Sequence, residues 1–279
     1  MNIKSIGIIG LGLMGGSIGL SLKKLYPHIN IIGYDHNLTH IQEAKNLHLV
    51  DKFAQNIEEI WQCDLVILAI PVDGIISIIG QINSVPPMTT IIDMGSTKKL
   101  ICDSIPDAIR SNFVATHPMT GTEKSGPTAA IDGLYAGKTV VLCDIEKSGA
   151  HQQEIVKKLF NALKMNIIYM DSTSHDQHAA FISHMPHVIS YALANTVMRQ
   201  EDPKSIIALA GGGFRDMSRI AKSSPDMWES IIRQNKINVL ESIVHFKQEL
   251  DSFEEMMLQE DWDGIKDWMT QANSLHDIL

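Results

Sequence analysis

The apolar run Ser5–Ile9 breaks into Gly10-Leu11-Gly12-Leu13-Met14-Gly15-Gly16-Ser17, and this junction constrains the fold more than any other part of the chain. Gly10, Gly12 and Gly15 satisfy Gly-x-Gly-x-x-Gly, a pattern that means little without its surroundings. Here a strand-like run precedes it, and Ile18, Leu20, Leu22 and Leu25 supply the apolar face of a helix after it. The next apolar run, Ile29–Gly33, ends in Tyr34-Asp35. Strand, glycine turn, helix and strand at this pitch open a βαβ unit and call for a mostly parallel, doubly wound sheet of Rossmann type. Each glycine has its own task. Gly10 permits the tight turn, Gly12 lets the backbone approach a pyrophosphate with no Cβ in the way, and Gly15 lets helix and strand pack closely. The N–H groups freed at the helix start, around Leu13 and Met14, then face the phosphates with the helix dipole behind them.

Asp35 closes the second strand. A carboxylate there accepts hydrogen bonds from ribose hydroxyls and repels a 2′-phosphate, which argues for NAD over NADP. The following His36-Asn37-Leu38 brings no arginine to hold such a phosphate. A methyltransferase also places an acid after its second strand, and it stands as the rival for this half. Protection against heat by NAD or by S-adenosylmethionine separates the two.

The alternation continues along the chain. Leu65–Ile70, Thr90–Met94, Asn112–Ala115, Thr139–Cys143 and Asn166–Met170 read as strands, the first a continuous apolar run of the kind a sheet covered on both faces needs. Helices are expected at Leu38–Asn46, from Pro71-Val72-Asp73 through about Ile82, at Thr97–Ile109 and at Glu146–Leu163. After Met170 the texture changes. Ser174–Gln200 reads as one long helix that Pro186 should bend or divide. Gly211-Gly212-Gly213 interrupts, helix resumes at Asp216–Lys222 and Asp226–Leu250, and Phe253–Leu275 closes the chain. The expected organisation is a sheet domain over 1–171 and an all-helical domain over 172–279.

The totals narrow the function. A net charge of −9 with no basic stripe excludes a nucleic-acid binder. Apolar runs are strand-sized, short of the roughly 20 residues that span a bilayer, so no membrane partner is expected. Met1-Asn2-Ile3-Lys4 leads straight into the first strand with no signal-peptide core. Cys63, Cys102 and Cys143 are odd in number and far apart, as suits free thiols in the cytoplasm.

In open α/β sheets the ligand lies across the carboxyl ends of the strands. Three loops meet that rim: the turn at Pro71, the stretch Asp93-Met94-Gly95-Ser96-Thr97-Lys98, and Thr116-His117-Pro118-Met119-Thr120-Gly121-Thr122-Glu123-Lys124-Ser125-Gly126. Ser96 is either a site residue, a helix N-cap before Thr97, or both. The last loop packs His117, Glu123 and Lys124 between glycines, as binding loops on rigid scaffolds do. In the helical half, His175, His178, His184 and His187 fall within thirteen positions. At about 100° per residue His184 lies opposite His175 on an unbroken helix, so no metal site is expected. Arg215 and Arg219 lie one turn apart with Asp216 between them. They suit a substrate carrying carboxylates, although taken by themselves they read first as a solvated salt-bridge helix.

Taken together, Gly10–Ser17 with Asp35, Asp93–Lys98, His117–Gly126, Ser183–His187 and Gly211–Ala221 running on through Ser223-Ser224-Pro225-Asp226-Met227-Trp228 resemble the prephenate dehydrogenase family of tyrosine biosynthesis, over essentially the whole chain. The resemblance implies an NAD-dependent oxidative decarboxylation of prephenate to 4-hydroxyphenylpyruvate, with arogenate as the alternative substrate. It implies that His117 takes the proton of the ring C4 hydroxyl and that Ser96 contacts the same hydroxyl near the nicotinamide. Arg219 would bind a substrate carboxylate, and His187, Glu123 and Arg215 would line the pocket, with Glu123 setting charge and access. It further implies a homodimer paired through the helical domain, with Trp228 reaching toward the partner's site. The 279 residues carry no mutase segment in front and no ACT module behind, so tyrosine feedback, if any, is expected at the active site itself. Two-domain hydroxyacid oxidoreductases are the nearest rivals, but they place a catalytic lysine in the helical domain. An NAD-sensing regulator without chemistry would not need Ser96, His117 and Arg219 together.

Overall fold

A computed structural model describes residues 3–278, so the first two residues of the Met1–Lys4 lead-in lie outside it. The chain divides into two compact units, Met1–Asn235 and Lys236–Leu279.

The first unit begins with β1 (Ser5–Ile9), α1 (Leu13–Leu25), β2 (Asn30–Tyr34), α2 (Leu38–Asn46), β3 (Lys52–Phe53), β4 (Leu65–Leu68) and α3 (Val72–Ile79). It continues with β5 (Thr90–Asp93), α4 (Lys99–Asp103), β6 (Phe113–Pro118), β7 (Thr139–Cys143), α5 (Ala150–Ala162) and β8 (Asn166–Met170). One sheet results, in the order β3-β2-β1-β4-β5-β6-β7-β8. Every neighbouring pair is parallel except β6 and β7. Between those two the chain has only a short 3₁₀ turn, Pro127–Ala129, and no crossover helix, so β7 returns antiparallel.

Period-two alternation sends the strand side chains into two cores. On β4, Leu65 and Ile67 join Ile18 and Leu22 of α1 and Leu159 of α5 on one face. Val66 and Leu68 join Ile75 and Ile79 of α3 and Ile101 of α4 on the other. Both faces are covered over the central strands β1, β4, β5 and β6, which is why these are apolar almost throughout. The order reverses between β1 and β4, so the glycine turn after β1 opens at the switch point of the sheet.

The helical stretch of this unit comprises α6 (Ser172–Ala179), a π turn at Ala180–His184, α7 (Met185–Met198), α8 (Pro203–Ala208), α9 (Gly212–Ser218), a 3₁₀ turn at Arg219–Lys222 and α10 (Pro225–Gln234). Among the described residues no strand follows Met170. The compact unit nonetheless runs past residue 171, because Trp228 and Ile231 of α10 are buried in the second sheet-face core. The second unit holds α11 (Lys236–Leu258) and α12 (Trp262–Asn273), packed through Phe253 and Trp268, whose indole N–H donates to Glu249 at 2.9 Å. Among the described residues no helix is long and apolar enough to cross a membrane.

Several helices differ from their sequence expectation. Thr97–Ile109 is two short pieces, α4 and a 3₁₀ turn at Asp107–Asn112, because Pro106 disfavours helix at Ile105 and lacks an N–H. The expected helix at Glu146–Leu163 starts at Ala150, where the Gly149 N–H is drawn to Ser111 O at 2.7 Å. Pro186 does mark a division, standing in the first turn of α7 just after the π turn that follows α6. Gly211 caps α9, and Gly212 and Gly213 lie within it. The C-terminal helices break at Asn235 and at left-handed Glu260 rather than after Leu250.

Candidate active site

The glycine loop divides its labour as the spacing predicts. Gly10 has φ +91°, and a Cβ there would sit 2.4 Å from Ala69 O. A Cβ on Gly15 would collide with Gly10 O at 1.8 Å. Around Gly12 there is open space, with only Gly126 N, at 4.0 Å, near a Cβ position. This cradle fits a pyrophosphate laid against the start of α1, where Gly12 is the cap and the Leu13 and Met14 N–H groups have no helical partner. Asp35, 7% exposed, accepts from Leu11 N and Asn37 N at 2.9 Å each, and from His40 Nδ1 at 3.3 Å. Its carboxylate is thereby fixed beside the glycine turn.

His117 lies near the end of β6, 8% exposed, and its Nδ1 is 2.8 Å from His175 Nε2. His175 Nδ1 in turn lies 2.8 Å from Asp176 Oδ1. Asp176 also accepts from Lys98 N at 2.7 Å and Lys99 N at 3.0 Å. Burial raises the Asp176 carboxyl, but the bonds from His175 and these two N–H groups more than offset it and leave it below the usual range. The partners then fix the tautomers. An ionised Asp176 only accepts, so His175 carries its proton on Nδ1 and offers Nε2 as an acceptor. His117 must donate from Nδ1, and its Nε2 is left with a lone pair. Burial, the neighbouring His175 and the Lys98 charge all push His117 well below 6.5, so this imidazole stays neutral. Lys98 is itself fully buried, bound to Asp93, which also accepts from Gly95 N at 2.9 Å and Thr116 N at 3.1 Å.

The remaining expected residues fall around this axis. Ser96 is half-buried in the loop after β5; α4 is capped at Lys98 with no side-chain bond, so the capping role for Ser96 does not hold. Pro71 caps α3 at the end of the neighbouring strand. Glu123 and Arg219 approach across the cleft to 3.7 Å. Arg215 is exposed, and its Nε donates to Ala210 O at 3.3 Å rather than toward Glu123. His187 stacks on Trp228 with ring centroids 3.5 Å apart and 25° between planes. Trp228 is only 6% exposed and sits in its own chain's core, which leaves little ring for a second subunit's site.

Residues 18–169 match the model of the prephenate dehydrogenase nucleotide-binding domain, and residues 171–271 that of the prephenate dehydrogenase dimerization domain. The chain belongs to the prephenate dehydrogenase family. It is accordingly an oxidoreductase with NAD as cofactor. A prephenate dehydrogenase of Bacillus subtilis is 31% identical over 99% of this chain and 76% of its own. The crystal structure of prephenate dehydrogenase from Aquifex aeolicus, in complex with hydroxyphenyl propionate and NAD+, superposes with a TM-score of 0.92 at 30% identity, covering 99% of this chain and 98% of that one. Synechocystis arogenate dehydrogenase gives 0.78 at 26% identity over 98% and 99%.

Sequence reasoning passed over His175 and Asp176 in this family member, weighing the former only as a metal ligand. Among the described residues no group of three or more His, Cys, Asp or Glu is arranged to hold a metal ion. The helix on which His184 was placed opposite His175 is not a regular one. The π turn lies between α6 and α7, and Asn235 Nδ2 bridges Asp176 O at 2.7 Å and His184 Nδ1 at 3.0 Å. The adjacency of His175 and Asp176 at a helix start was the available signal.

Burial makes these histidines acid-sensitive. Burial first holds His117, His175 and His184 below 6.5, His184 at about 4. Unfolding lets each take up a proton at its ordinary value, so the unfolded state binds more protons below about pH 6.5 and stability falls with pH. For His184 alone the loss approaches roughly 3 kcal/mol by pH 4, at 1.36 kcal/mol per unit. Calorimetric melting between pH 7.5 and 4.5 should show Tm falling from about pH 6.5 downward; a flat Tm across this window contradicts the buried neutral assignments.

Proposed function

We propose that this chain oxidatively decarboxylates prephenate to 4-hydroxyphenylpyruvate, with His117 as the base and NAD as the oxidant. The observation that carries the proposal is the Asp176–His175–His117 series, which leaves His117 Nε2 bare, in a water-poor position, on the same rim as the glycine loop.

When bound, NAD supplies the acceptor for the hydride from ring C4. The chain's own residues do the rest. Gly12, Leu13 and Met14 hold the pyrophosphate and Asp35 the ribose, and the Asp35 charge disfavours NADP. His117 Nε2 accepts the C4 hydroxyl proton as the C4–H bond breaks, which turns the carbinol carbon into a carbonyl-like centre. Loss of CO2 from C1 returns the electron pair to the ring as a phenolate, and the proton held on His117 Nε2 goes back to that oxygen to give the phenol. Ser96 orients the same hydroxyl. Arg219 pairs with a substrate carboxylate in place of Glu123, and Glu123 then sets the charge at the entrance. His187 presents its Nε2 edge, since its Nδ1 donates to Ser183 O at 2.9 Å. We further propose that the functional division lies near residue 171, that the enzyme works as a homodimer paired through its helical half, and that it acts in the cytoplasm.

The test is absorbance at 340 nm with purified protein, NAD or NADP, and prephenate or arogenate. NADH formed with prephenate supports the proposal. NADH with arogenate alone keeps the chemistry and changes the substrate, and no reduction with either ring overturns the reading.

Arg219→Ala should raise the KM for substrate roughly 10- to 100-fold with kcat less affected, the loss expected for a charge-assisted bond of about 1.5–3 kcal/mol. An unchanged KM in a folded variant moves the carboxylate contact elsewhere.

A further inference from the structure

One motif at the rim has no part in this chemistry. Asp73, in the first turn of α3, follows the Pro71 turn after β4, and Thr97 follows Ser96 after β5. The two loops are neighbours because β4 and β5 pair in parallel, with Leu68 opposite Asp93. Gln234, the last residue of α10, spans them. Its Nε2 donates to Asp73 Oδ1 at 2.7 Å, and its Oε1 accepts from Thr97 Oγ1 at 2.7 Å. The amide has one possible orientation, since an ionised carboxylate only accepts. Asp73 is held below the usual carboxylate range, first by the hydrogen bond from Ser230 and then by those from Gln234 and Arg233. Ser230 Oγ and Arg233 Nη2, the latter at 2.7 Å, occupy its other oxygen. Three side chains of one helix thus close on one carboxylate at the rim. Six residues earlier on α10, about 9 Å along the axis, Trp228 stacks on His187.

We propose that Gln234 is a positioning residue: by bridging Asp73 and Thr97 it sets the separation of the Pro71 and Ser96 loops, and α10 transmits that setting to the Trp228–His187 pair. Three features make this more than a surface contact. Thr97 is fully buried and Ser230 nearly so, so both hydroxyls depend on these partners. The bridge joins consecutive strand-end loops, which lie side by side because β4 and β5 pair. The same helix that holds the cofactor rim also packs the ring beside His187, so a shift at one end moves the other. The inference rests on the reading that the Pro71 and Ser96 loops border the nicotinamide end of the cofactor.

Four variants test it: Gln234→Leu, which keeps bulk and removes both bonds; Thr97→Val, which removes the hydroxyl; Thr97→Ser, which keeps it; and the Gln234→Leu/Thr97→Val double. The Kd for NAD is measured by titration calorimetry, substrate KM and kcat at saturating NAD, and Tm by calorimetry. Gln234→Leu and Thr97→Val should each weaken NAD by about fivefold or more, the lower end of usual coupling between sites. Substrate KM should rise with it, Thr97→Ser should stay within twofold of the parent, and the double should be no worse than the worse single. A lowered Tm with NAD Kd and KM unchanged in both singles overturns the proposal and leaves the bridge a purely structural clasp. Should Gln234→Leu fail to fold, the Thr97→Val and Thr97→Ser pair carries the comparison. A parent that binds NAD yet oxidises neither prephenate nor arogenate sinks the functional reading, and the NAD Kd values still decide the bridge.

Discussion

His117→Ala is expected to cut kcat by about 10² or more, the range in which a positioned general base contributes. The argument is geometric before it is electrostatic. His117 stands on a strand, its Nδ1 is committed to His175, and only Nε2 remains for chemistry. Removing the ring also strands His175 Nε2 as a buried acceptor, so a stability loss of about 1–3 kcal/mol should accompany the kinetic one. NAD binding should change little, because the glycine loop and Asp35 do not depend on this ring. A second signature concerns pH. Burial, His175 and Lys98 hold His117 well below 6.5, so the base is deprotonated throughout the neutral range and the acid limb of kcat should fall below pH 6.5. Turnover of the variant within twofold of the parent would remove His117 from the role. So would an acid limb in the parent above pH 7.

Much of the scaffold was legible in the residues because local rules and the global fold agree there. The Gly10, Gly12 and Gly15 roles follow from sterics alone, and a Cβ at each meets backbone, open space and backbone in turn. The central strands of the sheet announced themselves as apolar runs, since both of their faces are covered. The two-residue β3 carries too little pattern to be seen. Helix ends were less legible where tertiary contacts decide them. Asp176 draws the Lys98 and Lys99 N–H groups, Asn235 turns its amide to Asp176 and His184, and neither event has a local signature. For the site, Ser96, His117 and Glu123 were named from loops at strand ends, Arg219 from the helical half, and their roles from the resemblance. His175 and Asp176 were passed over because their role exists only once α6 packs beside β6, 58 positions away in the chain. The reach of Trp228 toward a partner's site was implied by the resemblance alone, whereas α10 packs this ring into a sheet-face core of its own chain.

Asp176→Asn should be nearly as damaging as the loss of His117 itself, although Asp176 lies two hydrogen bonds from the reacting atom. The carboxylate has three acceptor tasks: His175 Nδ1 at 2.8 Å, Lys98 N at 2.7 Å and Lys99 N at 3.0 Å. An amide keeps one oxygen. If that oxygen serves Lys98 and His175, the NH2 group faces the Lys99 N–H, donor against donor. If the amide turns, its NH2 faces Lys98 N and donates to His175 Nδ1. His175 then carries its proton on Nε2, His117 must accept at Nδ1, and the His117 proton moves to Nε2, where the base should be bare. The second arrangement reverses every tautomer in the series. A fall in kcat of roughly 10²- to 10⁴-fold is expected, with NAD Kd within a factor of a few. A merely structural residue would lower Tm without that signature, so two further readouts are needed. Nitrogen NMR of His117 should show the proton moved from Nδ1 to Nε2. On a His117→Ala background, Asp176→Asn should cost almost nothing more in kcat, because residues acting as one unit are not additive. Full additivity of the two changes, or a folded Asp176→Asn with kcat within threefold of the parent, would mean that His117 takes its tautomer from some other partner.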